Sequence, residues 1–131
     1  MARIFTLDTF NSASGDLTVY NNTLPGDIKR VFYIHGAGNS LRGGHRHHKA
    51  WNALICVVGQ CRVYVQDSEG EKDYLLASPD TCLILEPKDW HVMDQFSEDA
   101  VLLVLANEPY DRKDYIDEPY LACRYASVNN S

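Results

Sequence analysis

The chemistry of this chain is concentrated in one short stretch. "SLRGGHRHHKAW" (40–51) holds three of the five histidines, with Arg42, Arg46 and Lys49 around them. "HRH" at 45–47 sets two imidazoles at i and i+2. On a strand those positions share a face. His45 and His47 then project into one space, while Arg46 and His48 point away. Imidazole has an ordinary pKa near 6.5, so such a pair both accepts and donates protons near neutral pH. That suits acid/base chemistry on adjacent atoms of one substrate. An arginine fork nearby suits a phosphate-bearing one. Arg42, and with it Arg30, is expected to face such an anion. A third imidazole, His91, follows the loop "PKDW" (87–90).

The same histidines raise the question of a metal. Two imidazoles facing the interior of a small β-barrel suggest a cupin, a double-sheet jelly roll with a central pocket. Metal-binding cupins follow the HxH pair with a Glu and place a Gly seven residues after it. Here Gly59 is present, but Asn52 stands at the Glu position. Three neutral imidazoles are a zinc-type donor set, yet an Asn in place of the carboxylate weakens any hard-metal site. The expectation is a site with no metal and no cofactor, in which Asn52 and His91 contact substrate. Tyr33, Trp51 and Trp90 are candidates to stack on a base or to form the pocket wall. Packing is the commoner role of large aromatics. Tyr33 and Trp90 are carried forward as candidate substrate contacts.

The elements that must position these residues read as strands. "RVFYIH" (30–35) is β-branched and aromatic. "ALICVVGQCRVYVQD" (53–67) is two runs broken at Gly59-Gln60, a tight hairpin. In its second run Cys61, Val63 and Val65 point one way, and Arg62, Tyr64 and Gln66 the other. After a polar turn at 67–72 come strands at 73–77 and 81–86, separated by "SPD". "AVLLVLA" (100–106) is apolar at every position and needs cover on both faces. "NSASG" (11–15) reads as a loop. The tail after Pro119 is polar and peripheral, with "SVNNS" frayed. No long helical period appears. Short, closely spaced strands with Gly and Pro turns predict an all-β sandwich or barrel, in a single domain over 1–131 with its core at about 28–120.

Composition agrees with one folded domain. The chain has 131 residues, 45% of them hydrophobic and 11% aromatic. A net charge of -6 argues against nucleic-acid binding, which needs a basic face. No apolar run approaches a membrane span, and the N-terminus lacks a signal peptide's apolar stretch, so the expected location is the cytoplasm. Cys56, Cys61, Cys82 and Cys123 show no CxxC spacing and read as buried thiols.

Taken in order, "IKRVFYI", "RGGHRHHK", "LICVVGQCRVYV", "SPDTCLILEPKDWHVM", "FSEDAVLLVLANEPYD" and "DYIDEPY" resemble the cupin sugar-nucleotide 3,4-ketoisomerases over roughly residues 28–120. The resemblance implies a homodimeric jelly roll without catalytic metal. It implies isomerisation of a dTDP-4-keto-6-deoxyhexose to its 3-keto isomer, on the way to deoxyamino sugars of surface polysaccharides. The family's acid/base histidines map onto His45 and His47, its pre-glycine arginine onto Arg42, and its Trp-His pair onto Trp90 and His91. Near the N-terminus "SASGDLTVY" keeps Gly15 of the family's Asp-x-Arg-Gly pattern but not the Asp or Arg. Competing readings are a 3,5-epimerase-like cupin, a non-catalytic dTDP-sugar-binding module and a metal-dependent cupin. A second copy of the chain, paired at an edge strand, is expected to help cover "AVLLVLA".

Overall fold

Runs of β-branched and aromatic residues, cut by Gly, Pro and Asp turns, fold as strands in the computed structural model, which describes residues 2–121. In chain order they are β1 (Arg3–Thr6), β2 (Asp8–Ser12), β3 (Gly15–Val19), β4 (Arg30–His35), β5 (Arg42–His47) and β6 (Asn52–Val58). Then come β7 (Cys61–Asp67), β8 (Gly70–Leu76), β9 (Thr81–Leu85), β10 (Trp90–Asp94) and β11 (Val101–Ala106). A 3-10 turn at Arg112–Asp114 leads into the short β12 (Tyr115–Ile116). Two five-stranded antiparallel sheets result, ordered β1-β9-β6-β11-β4 and β12-β5-β10-β7-β8, with a separate ribbon of β2 and β3. This is the expected all-β, jelly-roll arrangement.

Alternation builds the core. Val63 and Val65 of β7 meet Leu54, Leu83, Leu85, Leu102 and Val104 between the sheets. Tyr64 and Gln66 take the other face, as the alternation predicts, but that face is not open to water. Tyr64 packs with Trp90 and Val92 beneath Tyr120. The Gln66 carbonyl oxygen accepts the backbone N–H groups of Tyr120 at 2.6 Å and Leu121 at 2.9 Å. The start of the C-terminal segment is therefore fastened to the sheet rather than peripheral. "SVNNS" and Cys123 lie outside the described residues.

The second correction concerns the N-terminal segment. "AVLLVLA" is covered on both faces, but the outer cover comes from this chain. Leu7 and Leu24 close over Ala53, Ile55, Cys82, Ile84 and Leu105. β1 pairs with β9, Ile4 opposite Leu83, and Ala2 joins the main core, so the core begins well before residue 28. Where the sequence predicts a loop at 11–15, β2 and β3 form a hairpin with Phe10 opposite Leu17. Every residue of β2 is exposed, so no buried face imposed an apolar alternation on it. Cys56, Cys61 and Cys82 are free and buried, and burial pushes the Cys82 thiol up to about 12.

Candidate active site

The site is organised by two glycines. On the β5–β10 ladder His45 lies opposite His91, yet Gly43 lies opposite Val92, so Gly44 is an extra residue on its strand. Gly43 and Gly44 have φ of 89° and 83°, in the left-handed region that favours glycine. This is a β-bulge, and it changes the phase of the strand. By simple alternation Arg42 belongs to the outward face of Arg46. Past the bulge it lies opposite Met93 and lines the same cavity as His45 and His47. A Cβ at Gly43 would sit 2.9 Å from the His91 carbonyl oxygen, so the close approach of β5 and β10 also needs glycine there.

The cavity, about 290 Å³, opens between the two sheets. His45, His47, His91, Asn52, Arg30 and Arg42 all line it, six of the eight residues expected from the sequence. Tyr33 and Trp90 are not brought there, for one shared reason. On β4, Arg30, Phe32 and Ile34 face the cavity, so alternation turns Tyr33 outward, where it is 63% exposed. On β10, His91 and Met93 face inward, and Trp90 is buried on the opposite face. Its indole N–H donates to the Asp117 carbonyl at 2.9 Å. His48 is exposed, as expected. Arg46 points away from the cavity. Its guanidinium donates to the Glu118 carbonyl and stacks 4.3 Å over the Tyr120 ring.

The histidines form a buried cluster. The His45 ring centroid is 5.0 Å from that of His47 and 4.9 Å from that of His91. Tyr115 closes one side, 4.4 Å from His45 and 4.7 Å from His47. Burial, reinforced by the neighbouring His91 and His47, holds His45 down to about 2. Burial, with His47 beside it, holds His91 down to about 4. His47 is also lowered by burial, against the opposing pull of the Asp114 carboxylate. In all three, burial favours the neutral imidazole. His91 Nδ1 donates to the Asp89 carbonyl at 3.0 Å, which leaves its Nε2 with the lone pair. Among the described residues, no three His, Cys, Asp or Glu side chains converge to hold a metal ion.

Around this cluster stand cations and aromatics. Arg30 lies 4.3 Å over Phe32 and 5.1 Å from the Tyr110 ring, and donates to the Tyr115 hydroxyl at 3.2 Å. Arg42 Nε is buried with no protein partner among the described residues. Tyr110, Arg112, Asp114 and Tyr115 also line the cavity and were not anticipated. They come from the irregular segment after β11, which has no periodicity to read. The available signal was the density of Tyr, Asp and Arg in "PYDRKDYIDEPY" (109–120).

Known proteins share this fold. The family model described as FdtA, WxcM-like, C-terminal, matches residues 1–125. A relative from Aneurinibacillus thermoaerophilus, named TDP-4-oxo-6-deoxy-alpha-D-glucose-3,4-oxoisomerase, is 42% identical over 97 residues, covering 73% of this chain and 70% of its own. A 3,4-ketoisomerase from Helicobacter canadensis superposes with a TM-score of 0.83 at 32% identity, over 88% of this chain and 90% of that one. A histidine-to-asparagine variant of the 3,4-ketoisomerase QdtA from Thermoanaerobacterium thermosaccharolyticum was solved in complex with TDP-4-keto-6-deoxyglucose. It superposes with a TM-score of 0.83 at 34% identity, over 88% and 86% of the two chains. With a match over nearly its whole length and close relatives of one kind, the chain belongs to the WxcM-like FdtA family.

Proposed function

We infer that this chain is a sugar-nucleotide 3,4-ketoisomerase, moving the carbonyl of a dTDP-linked 4-keto-6-deoxyhexose from C4 to C3. The observation that carries the reading is the pair of buried imidazoles of His45 and His47, 5.0 Å apart in a cavity bordered by Arg30 and Arg42. The reaction is redox-neutral within the substrate. A base takes the proton from C3, the hydroxyl proton passes from O3 to O4, and an acid returns a proton to C4 through an enediol. Two adjacent imidazoles, each able to accept or donate, match two adjacent carbons. At about 290 Å³ the cavity is at the small end of ligand sites. It takes the sugar ring, while Arg30 and Arg42 meet the diphosphate as forked donors. Asn52 and His91 supply polar contacts to the ring.

The homodimer belongs to the same reading. Phe10 and Leu17 face one another on the β2–β3 ribbon, 62% and 60% exposed, and a lone two-stranded ribbon is marginal in water. Val31 and Tyr33 on edge strand β4 are also exposed. A second copy of the chain is the occupant that covers these apolar groups. The cytoplasm, where nucleotide sugars are built, is the matching location. A 3-keto sugar is the substrate class of a transaminating enzyme, which places the chain in deoxyamino-sugar assembly for surface polysaccharides.

The test is incubation with dTDP-4-keto-6-deoxyglucose, followed by NMR of the product. The carbonyl carbon is expected to move from C4 to C3, and folded His45→Asn and His47→Asn proteins to lose turnover by at least about a hundredfold. A carbonyl that stays at C4 while a stereocentre inverts would identify an epimerase instead. Binding of TDP with no change in the sugar would identify a non-catalytic module.

A further inference from the structure

The 3-10 turn after β11 carries a carboxylate that the reaction above does not consume. Asp114 is buried, and its two oxygens engage three donors. Oδ1 accepts the Lys49 backbone N–H at 2.8 Å, and Oδ2 accepts that of Ala50 at 3.2 Å. Oδ2 also lies 3.0 Å from His47 Nδ1. The backbone holds this carboxylate in place from both sides. The His48 N–H donates to the Asp114 carbonyl at 2.9 Å, and Tyr115 pairs with His47 on the β12–β5 ladder. His45, the other member of the pair, has no such partner. Its Nδ1 is buried, and no side chain among the described residues hydrogen-bonds it; only the Gly43 backbone acts on the ring in this way.

We propose that Asp114 is a positioning residue for His47, holding its ring plane and its Nδ1–H tautomer so that Nε2 keeps the lone pair for proton transfer. Both Asp114 oxygens already accept backbone N–H groups, which marks them as acceptors and puts the shared hydrogen on His47 Nδ1. A free imidazole exchanges between tautomers, and only one of them presents a bare Nε2. When Nε2 takes up a proton, the adjacent carboxylate stabilises the cation in a cavity that otherwise disfavours charge. The inference rests on the isomerase reading for its catalytic meaning, but the tautomer itself does not depend on that reading.

Asp114→Asn keeps the size of the side chain but removes the negative charge beside His47, and its NH2 must oppose the Lys49 or the Ala50 backbone N–H. Nitrogen-15 NMR of the imidazoles is expected to show hydrogen on His47 Nδ1 in the native protein. Turnover of dTDP-4-keto-6-deoxyglucose is expected to fall about a hundredfold or more, with KM within a few fold. Adding Asp114→Asn to His47→Asn is expected to cost no further turnover, because the two act as a unit. Native turnover in a folded Asp114→Asn protein overturns the proposal, as does an extra loss in the double variant. Hydrogen on His47 Nε2 in the native protein overturns it too, even where no variant folds. If the native protein leaves the carbonyl at C4, the isomerase reading fails while the His47 tautomer still reports on Asp114.

Discussion

His45 and His91 face each other across the β5–β10 ladder with ring centroids 4.9 Å apart, and the Gly43–Gly44 bulge brings them there. The glycines thus do more than turn the chain. They put Arg42 on the face of His45 and His47, so an anion-binding group and the proton-transfer pair share one cavity.

Gly43→Ala is expected to damage both fold and site. The new Cβ would meet the His91 carbonyl at 2.9 Å, and φ at Gly43 is 89°. A stability loss of about 1–3 kcal/mol in urea unfolding is expected from the backbone strain. Turnover should fall more than about tenfold, because His91 must shift with its carbonyl. A variant as stable and as active as the parent would show that the bulge is dispensable.

Stability should depend on pH in a defined direction. Unfolded, the three cavity imidazoles titrate near 6.5. Folded, burial holds His91 to about 4, His45 to about 2, and His47 below its ordinary value. Below about pH 6.5 the unfolded chain therefore binds more protons than the folded one. The stabilisation is complete above 6.5 and declines as pH falls toward the folded values. The decline is at most about 1.4 kcal/mol per pH unit for each histidine. Urea melts at pH 7.5, 6 and 5 measure it, and His91→Gln should make the decline shallower. A stability that stays level from pH 7.5 to 5 would contradict the neutral, buried cluster.

Arg42→Ala should weaken binding more than chemistry. The guanidinium lines the cavity, with Nε buried and no protein partner among the described residues, so it is available to a ligand oxygen. KM for the TDP-sugar is expected to rise about tenfold or more, with kcat changed by less. The reverse pattern in steady-state kinetics would assign Arg42 to the chemical step.

Trp90→Phe separates packing from binding. The indole is 1% exposed, faces away from the cavity, and holds the Asp117 carbonyl. Removing the N–H and part of the ring should cost about 1–2 kcal/mol in unfolding experiments. KM should be unchanged. A large rise in KM with native stability would return Trp90 to the substrate site.

The residue types were enough to read the strands of 30–35, 53–67 and 81–86, because β-branched, aromatic and apolar runs cut by turn residues mark them. They were also enough to pair His45 with His47, since i and i+2 share a face on any strand. β2 and β3 escaped because an exposed ribbon carries no such imprint. Tyr33 and Trp90 lie off the cavity because alternation says which residues share a face, not which face meets the cavity. Only the tertiary structure decided that Arg42 joins the histidines, since a bulge overrides parity and depends on how β5 meets β10. It alone brought Asp114 to His47 across 67 residues of chain, a contact made by an irregular turn with no period of its own.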